Sequence, residues 1–184
     1  MADAPPVYVE ARMHCDLDDL WRLTQDPALH SRWDLRFTSI EYLGDGQPQR
    51  FSYRLGPIAG WGETAGERER LDGGYASALR FGSRSRASLI DEGSGYWLYL
   101  PQPDGRGIRF LTRYDYKVRW GRLGNIVDRL LVRPLIGWAT AWSFDRLRLW
   151  LERDVPPERS LRAALTFGRD RPSARRCLRE PPPA

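Results

Sequence analysis

The chain has 184 residues, a length that predicts one domain with room for a substantial hydrophobic core. Hydrophobic residues make up 41% of it and charged residues 29%, which is ordinary for a soluble globular protein. The net charge of +5 permits contact with nucleic acid or an anionic membrane. However, the arginines are spread through the chain and no RNP-like aromatic motif accompanies them, so we expect no nucleic-acid partner.

The cysteines and the start of the chain bear on location. Cys15 and Cys177 are far apart and form no CxxC pattern, which favours reduced thiols in the cytosol over a disulfide. The first ten residues have neither a positive region nor an apolar one, so no signal peptide is predicted. We therefore predict a cytoplasmic location.

The first elements are one strand and two short helices. Residues 7–13 alternate between apolar and polar side chains, which predicts a strand. Asp16 stands three residues before Asp19 in a capping-box-like start, and it predicts a helix through Thr24. Asp26 followed by proline predicts a second helix that runs to about residue 33, with Asp26 as its N-cap.

A run of strands separated by turn signals follows. The pattern predicts strands at 37–43, 50–55, 61–71, 75–82 with 86–91, 96–100 and 108–120. The last strand alternates most clearly and places aromatic residues and the hydroxyls of Thr112, Tyr114 and Tyr116 on one face. Such alternation is typical of an antiparallel sheet with one face in water.

A long amphipathic helix is predicted from Gly124 to Glu152. Pro134 inside it should kink the helix or start a second segment. Trp138 and Trp142 lie one turn apart with small residues between them, so they either fill the core or line a ligand cavity. The uncharged stretch in this helix is about half of the ~20 residues that a bilayer span requires, which excludes a transmembrane helix here.

The composition changes after Asp154. Two prolines at 156–157 break the helix, and residues 161–167 predict a short amphipathic helix. Residues 169–184 are rich in arginine and proline, and we expect them to be loosely ordered. From Arg153 onward, eight arginines against four acidic residues give 8 − 4 = +4, so most of the net charge lies in this tail.

Three stretches together resemble the START-related SRPBCC superfamily, which includes polyketide cyclase/dehydrase-like and coenzyme-Q-binding proteins. They are VYVEARMHCDLDDLWRLTQDPALHSRWD at 7–34, FLTRYDYKV at 110–118 and GNIVDRLLVRPLIGWATAWSFDRLRLWLE at 124–152. The resemblance implies an α+β helix-grip fold: a curved antiparallel sheet of about seven strands around a long C-terminal helix, with two short helices after the first strand. It covers about residues 7–152, so we predict a START-like domain at 1–154 and a basic tail at 155–184.

The resemblance also implies a cavity between the sheet and the long helix that takes apolar or aromatic ligands. We therefore predict a binding or carrier domain for a hydrophobic small molecule such as a lipid, isoprenoid or polyketide. Its predicted ligand-binding residues are aromatic side chains and hydroxyls on the inner strands and the long helix: Phe51, Tyr53, Phe110, Thr112, Tyr114, Tyr116, Trp138 and Trp142. The role of the arginine-rich tail does not follow from the resemblance.

Two alternatives remain open. A cyclase- or dehydratase-type enzyme would need a charged residue in the cavity, and the candidates are Glu63, Glu67, His14 and His30. The simpler interpretation places both histidines at partly exposed positions and the glutamates on a solvated face beside arginines. The second alternative is an interaction module whose tail contacts an anionic membrane or an acidic partner. No cofactor motif is present, and neither histidine has the companions that a metal site requires.

Overall fold

Seven strands and five α-helices make up the fold, in a computed structural model that describes residues 4–182. The strands are β1 (Val7–Met13), β2 (Ser39–Tyr42), β3 (Arg50–Leu55), β4 (Ile58–Glu69), β5 (Tyr75–Gly82), β6 (Ile90–Pro101) and β7 (Ile108–Val118). The helices are α1 (Leu17–Gln25), α2 (Pro27–Trp33), α3 (Gly121–Val127), α4 (Arg133–Arg153) and α5 (Pro157–Leu165). A π-helical turn (Asp128–Val132) joins α3 to α4, and a 3₁₀ turn (Ala174–Arg176) lies in the tail.

The strands form one antiparallel sheet in the order β1-β7-β6-β5-β4-β3-β2. Consecutive strands from β2 to β7 are therefore neighbours, and β1 joins the sheet beside β7 with Val9 opposite Thr112. Irregular pairing in β4, between Thr64 and Gly66, marks a bulge of the kind that bends a strand and increases its twist. The predicted α+β helix-grip fold, with two short helices after the first strand and a long C-terminal helix, is confirmed.

One predicted strand is wrong. Residues 86–89 form a loop between β5 and β6, and β6 begins only at Ile90. The guanidinium of Arg119 occupies this loop and donates to the carbonyl oxygens of Ser83 and Ser85, the latter at 2.7 Å. The carbonyls of Ser83 and Ser85 therefore bond to a side chain rather than to a neighbouring strand, and β5 ends at Gly82.

Helix α2 begins as predicted, and Asp26 caps it. The Asp26 carboxylate accepts hydrogen bonds from the backbone N–H groups of Ala28 and Leu29, at 2.8 and 3.2 Å. Asp16 occupies the N-cap of α1 but its side chain makes no capping bond, so the predicted capping box does not form.

This difference between the two caps can be measured. Asp26→Ala should lower the free energy of unfolding by about 1 kcal/mol, because two N–H groups at the start of α2 lose their acceptor. Asp16→Ala is the matched control and should cost less than about 0.5 kcal/mol. Urea denaturation of both variants measures the difference, and equal losses would show that the Asp26 carboxylate does not cap α2.

The main core lies between α4 and the β1–β7 side of the sheet. The rings of Phe110 and Phe144 stack with centroids 4.5 Å apart, and both side chains are fully buried. Tyr99 and Trp33 pack on this pair at 4.9 Å and 6.3 Å. Aromatic rings thus fill the space directly beneath the middle of α4.

The predicted long helix is divided in two where Pro134 enters it. The hydrogen-bond pattern changes to a π-helical turn at Asp128–Val132, and Pro134 then lies in the first turn of α4, where no N–H partner is needed. Within residues 4–182, no helix combines the length and the apolar character that a membrane crossing requires.

Part of the tail packs on the domain, which contradicts the predicted loose order of residues 169–184. Asp145 on α4 is fully buried, and its carboxylate accepts a bond from the Arg176 guanidinium at 3.0 Å. Leu178 exchanges two backbone hydrogen bonds of 2.9 Å with Glu10 of β1. Asp145 also accepts from Arg148 of α4 and from the backbone N–H of Ser173, both at 2.8 Å, so the tail supplies two of the donors to this buried carboxylate. The division at residue 154 stays a prediction, and residues 1–3 and 183–184 lie outside the described residues.

Candidate functional site

A cavity of about 190 Å³ lies against the β2–β7 part of the sheet. Apolar and aromatic side chains supply most of its wall: Pro27, Phe37, Ile40, Phe51, Leu55, Leu79, Phe81, Ile90, Trp97 and Ile136. Polar atoms come from Thr24, Gln25, His30, Arg36, Tyr42, Tyr53, Thr64, Ser77, Tyr96, Thr112 and Tyr114, and Gly95 contributes backbone. A mainly apolar concavity with a few polar groups is the usual form of a small-molecule site.

Glycines of β4 shape one wall of the cavity. Tyr53 and Phe51 of β3 stand opposite Gly60 and Gly62 in the sheet. A Cβ atom at either glycine would overlap the ring of its partner, so only glycine lets these rings lie across β4. The hydroxyl of Tyr53 donates to the carbonyl of Gly82 at 3.3 Å and holds the ring in place.

Helices α1 and α2 and the loop after α2 cover the cavity, whereas α4 contributes only Ile136 to its wall. We expected the cavity between the sheet and the long helix, but the inner side of α4 is already occupied by the Phe110–Phe144 core. The free volume is consequently displaced toward the β3–β5 half of the sheet. The cavity reaches the surface beside Tyr42 and Leu55, two wall residues that are 44% and 43% exposed.

Four of the eight predicted ligand-binding residues line the cavity: Phe51, Tyr53, Thr112 and Tyr114. The other four lie elsewhere. Phe110 and Trp142 are packed in the main core, and Trp138 is 42% exposed on the outer side of α4. The Tyr116 hydroxyl donates to the buried carboxylate of Asp128 at 2.7 Å, outside the cavity wall. The ligand-binding role of all eight residues stays a prediction.

A buried charged cluster borders the cavity where α2 ends. The Asp34 carboxylate accepts bonds from Nε and a terminal nitrogen of Arg36 at 2.9 and 2.6 Å, and it lies 3.1 Å from Nε2 of His30. The Asp34 side chain is fully buried, whereas Arg36 and His30 are 16% and 12% exposed. We refer to Asp34, Arg36 and His30 as the charged cluster.

Burial and charge have opposite effects within the charged cluster. Burial alone would raise the pKa of Asp34, but the Arg36 cation and the His30 hydrogen bond outweigh it and hold this pKa well below its usual range. Burial disfavours the Arg36 cation, but Asp34 more than compensates and raises the pKa of Arg36. Burial also lowers the pKa of His30. At neutral pH the cluster is therefore an ion pair beside an uncharged imidazole.

Arg36 extends the charged cluster toward β7 and α4. Its third nitrogen lies 3.4 Å from the Tyr114 hydroxyl, which pairs with Thr140 Oγ1 at 2.9 Å. Thr140 in turn donates to the carbonyl of Ile136 at 2.8 Å. These contacts use three of the five N–H donors of the guanidinium. Among residues 4–182, the other two donors make no hydrogen bond, so Arg36 can donate to an acceptor that enters the apolar cavity.

The charged cluster is the part of the site that the sequence patterns missed. His30 was expected at a partly exposed position, but it is nearly buried and its ring stacks on Trp33 with centroids 4.7 Å apart. The spacing of His30 and Asp34, four residues apart at the end of a helix, was an available signal for a side-chain pair. Arg36 lies in a loop, where periodicity carries no information.

The other candidates for acid–base chemistry lie outside the cavity. Glu63 lies 3.8 Å from Arg50, Glu67 is exposed, and the His14 side chain is 70% exposed and bonded to Glu152 at 3.1 Å. The expected solvated face is thus exposed at Glu67, and the expected pairing with arginine is present at Glu63. Of the four candidates, only His30 lines the cavity.

Comparison with known proteins identifies a relative by sequence and several neighbours by structure. No family model matches the chain. The relative is a Bacillus subtilis protein named uncharacterized membrane protein YndG, 49% identical in an alignment of length 170 that covers 88% of this chain. This chain spans only 63% of the length of that protein.

The structural neighbours share the fold at low sequence identity. A hypothetical protein from Helicobacter pylori superposes with a TM-score of 0.65 at 13% identity, over 82% of this chain and 89% of its own. A STAR-related lipid transfer protein from Xanthomonas axonopodis superposes with a TM-score of 0.56 at 15% identity, over 83% of this chain and 97% of its own. DynU16, from the dynemicin biosynthetic locus, superposes with a TM-score of 0.57 at 15% identity, over 84% of this chain and 49% of its own. Together with the strand order and the long C-terminal helix, these likenesses show that the chain has the START/SRPBCC-like helix-grip fold.

Proposed function

We propose that this protein binds or carries, in the cytoplasm, a hydrophobic small molecule that has a hydrogen-bond acceptor at one end. The observation that supports this most is the position of Arg36 in the wall of a mainly apolar cavity. Two N–H donors of its guanidinium make no hydrogen bond within residues 4–182. The apolar part of the ligand contacts Leu79, Phe51 and Phe81, and its carbonyl, hydroxyl or carboxylate accepts from Arg36. The Xanthomonas neighbour is named a lipid transfer protein, which agrees with this class of ligand.

The size of the cavity limits how much of the ligand it encloses. A dry apolar cavity of about 150 Å³ holds one benzene molecule, so about 190 Å³ encloses a ring system or a short branched chain. A longer ligand would extend through the opening beside Tyr42 and Leu55. Compact polyketide-like rings and the end of an isoprenoid chain fit this description, and the cavity does not distinguish between them.

Blocking the cavity tests the proposal. Leu79→Trp places an indole in the cavity wall and should weaken binding of a fluorescent naphthylamine probe by about tenfold or more, because the probe loses the apolar surface that it contacts. Arg80→Trp is the matched control, since Arg80 is the next residue of β5, points to the opposite face and is exposed. Equal affinities of the two variants, measured by fluorescence titration, would contradict binding at this site.

An enzyme of the cyclase or dehydratase type is the second candidate, and it depends on His30. A neutral imidazole in the cavity wall could accept a proton from a ligand while Asp34 holds the ring in position. Mass spectrometry of a polyketide-like ligand after incubation separates the two functions. Unchanged ligand supports a carrier, and a product that forms with the wild type but not with His30→Gln supports an enzyme.

A further inference from the structure

The helical segment before the core-facing part of α4 carries seven exposed large apolar side chains. The first of them is Trp120, at the start of α3. Two runs at helical spacing follow it: Leu123, Ile126 and Leu130, and then Leu131, Leu135 and Trp138. All seven side chains are between 42% and 68% exposed. We refer to these seven residues as the apolar ridge.

So large an apolar surface on a helix requires a physical cause, because folded proteins seldom expose contiguous apolar patches of this kind without a partner. No residue of the apolar ridge lines the cavity, and the ridge meets the main core through Trp138, whose ring lies 6.3 Å from that of Trp142. Other residues of this segment face the protein. Gly124 and Asp128 are buried, and Ile136 lines the cavity. The described part of the tail packs on the other end of α4, around Asp145.

Within residues 120–138, which carry the apolar ridge, the exposed charges are of one sign. The only acidic residue from 120 to 138 is Asp128, which is 3% exposed and paired with Arg133 at 2.9 Å. Arg122 and Arg129 are exposed and have no acidic partner within residues 4–182. The exposed side chains of residues 120–138 are therefore apolar, polar or cationic. The exposed carboxylate of Asp115 on β7 borders this segment, where it pairs with Arg133 at 2.9 Å.

We propose that the apolar ridge docks the protein on the surface of an anionic lipid bilayer. Leucines enter the acyl boundary, Trp120 and Trp138 lie at the interfacial level that tryptophan favours, and Arg122 and Arg129 contact anionic headgroups. The charge complementarity favours anionic lipid over an apolar protein groove, which offers nothing to the two arginines. The ridge lies along the surface of the bilayer, since within residues 4–182 no helix, α4 included, is both long and apolar enough to cross it.

Docking of the ridge would also place the cavity near the lipid. Ile136 lies between Leu135 and Trp138 in sequence and contributes the one α4 side chain in the cavity wall. The membrane contact itself does not depend on what the cavity binds. A protein that fails to bind vesicles could still bind a ligand in the cavity, so the two proposals fail separately.

The experiment is co-sedimentation of the full chain with vesicles of phosphatidylcholine that contain phosphatidylglycerol, and with vesicles of phosphatidylcholine alone. The wild type should bind the anionic vesicles at least about tenfold more strongly, and high salt should weaken this binding. The double variant Leu130→Glu, Leu135→Glu should reduce binding by at least about tenfold, because two carboxylates would enter the acyl boundary.

Two controls separate binding through the ridge from an effect of net charge and from binding through the tail. Leu43→Glu, Leu71→Glu makes the same change of charge at two exposed leucines outside the ridge and should reduce binding much less. Arg175→Glu, Arg179→Glu tests the tail, and greater loss in this variant than in the ridge variant would overturn the proposal. Absence of vesicle binding by the wild type would also overturn it, as would dimers that the ridge variant abolishes without any vesicle binding. Circular dichroism of each variant confirms that it is folded.

Discussion

Asp34→Ala should destabilise the protein by about 3–5 kcal/mol, because it leaves the Arg36 cation in a nearly buried position without its counter-charge. Asp34 accepts three bonds from the side chain and backbone N–H of Arg36, at 2.6 to 3.0 Å. The same substitution at Asp19, whose partner Arg22 lies at 3.2 Å on the surface, should cost less than about 1 kcal/mol. Urea denaturation measures the loss of stability in both variants. A loss at Asp34 no larger than at Asp19 would contradict the assignment of a buried ion pair.

The pH dependence of stability follows from the same charged cluster. The folded protein lowers the pKa of Asp34, so the stability it contributes is present above the unfolded pKa of about 3.9 and is lost as the pH falls through the folded value. Burial lowers the pKa of His30, so stability also declines as the pH falls below about 6.5, where an unfolded histidine gains a proton. Asp34→Ala should flatten the more acidic part of the curve.

Phe144→Ala should cost about 3–5 kcal/mol, because it leaves a void where the ring stacks on Phe110. Both rings are fully buried, and Phe144 connects α4 to β7 at the centre of the main core. Trp138→Ala is the matched control on the same helix. Since the Trp138 side chain is 42% exposed, its loss should cost less than half as much.

The comparison of these two variants by thermal or urea denaturation tests which side of α4 holds the fold together. A larger loss at Trp138 than at Phe144 would show that the packing of α4 differs from the one described. The result also bears on Trp138 and Trp142, which the sequence predicted either to fill the core or to line a ligand cavity. Trp142 lies in the core and Trp138 on the outer side.

The strand pattern was predictable where one face of the sheet is buried and the other is in water. In β7 the alternation around Thr112, Tyr114 and Tyr116 identified the inner face, and in β3 it identified Phe51 and Tyr53. Period-2 alternation depends only on which face is dry, so it can be read without knowing the fold. It does not say how the inner face is covered. Phe110 is covered by core aromatics, whereas Tyr114 meets the cavity.

The position of the cavity and the charged cluster could not be predicted by periodicity. The position of the cavity depends on which aromatic rings fill the space under α4. Side-chain volumes decide this, and the spacing of apolar residues in the sequence does not reveal it. Arg36 lies in a loop, and its role results from contacts with Tyr114, 78 residues further along the chain. The tail was misjudged for the same reason, since it donates to a buried Asp145 carboxylate that composition does not reveal.

A crystal structure of the protein with a bound apolar ligand that carries a carboxylate would test the central claim most directly. We expect its apolar part against Leu79 and Phe51, and a carboxylate oxygen within hydrogen-bond distance of an Arg36 terminal nitrogen. A ligand that lies elsewhere while the cavity under α2 stays occupied by side chains or water would contradict the claim.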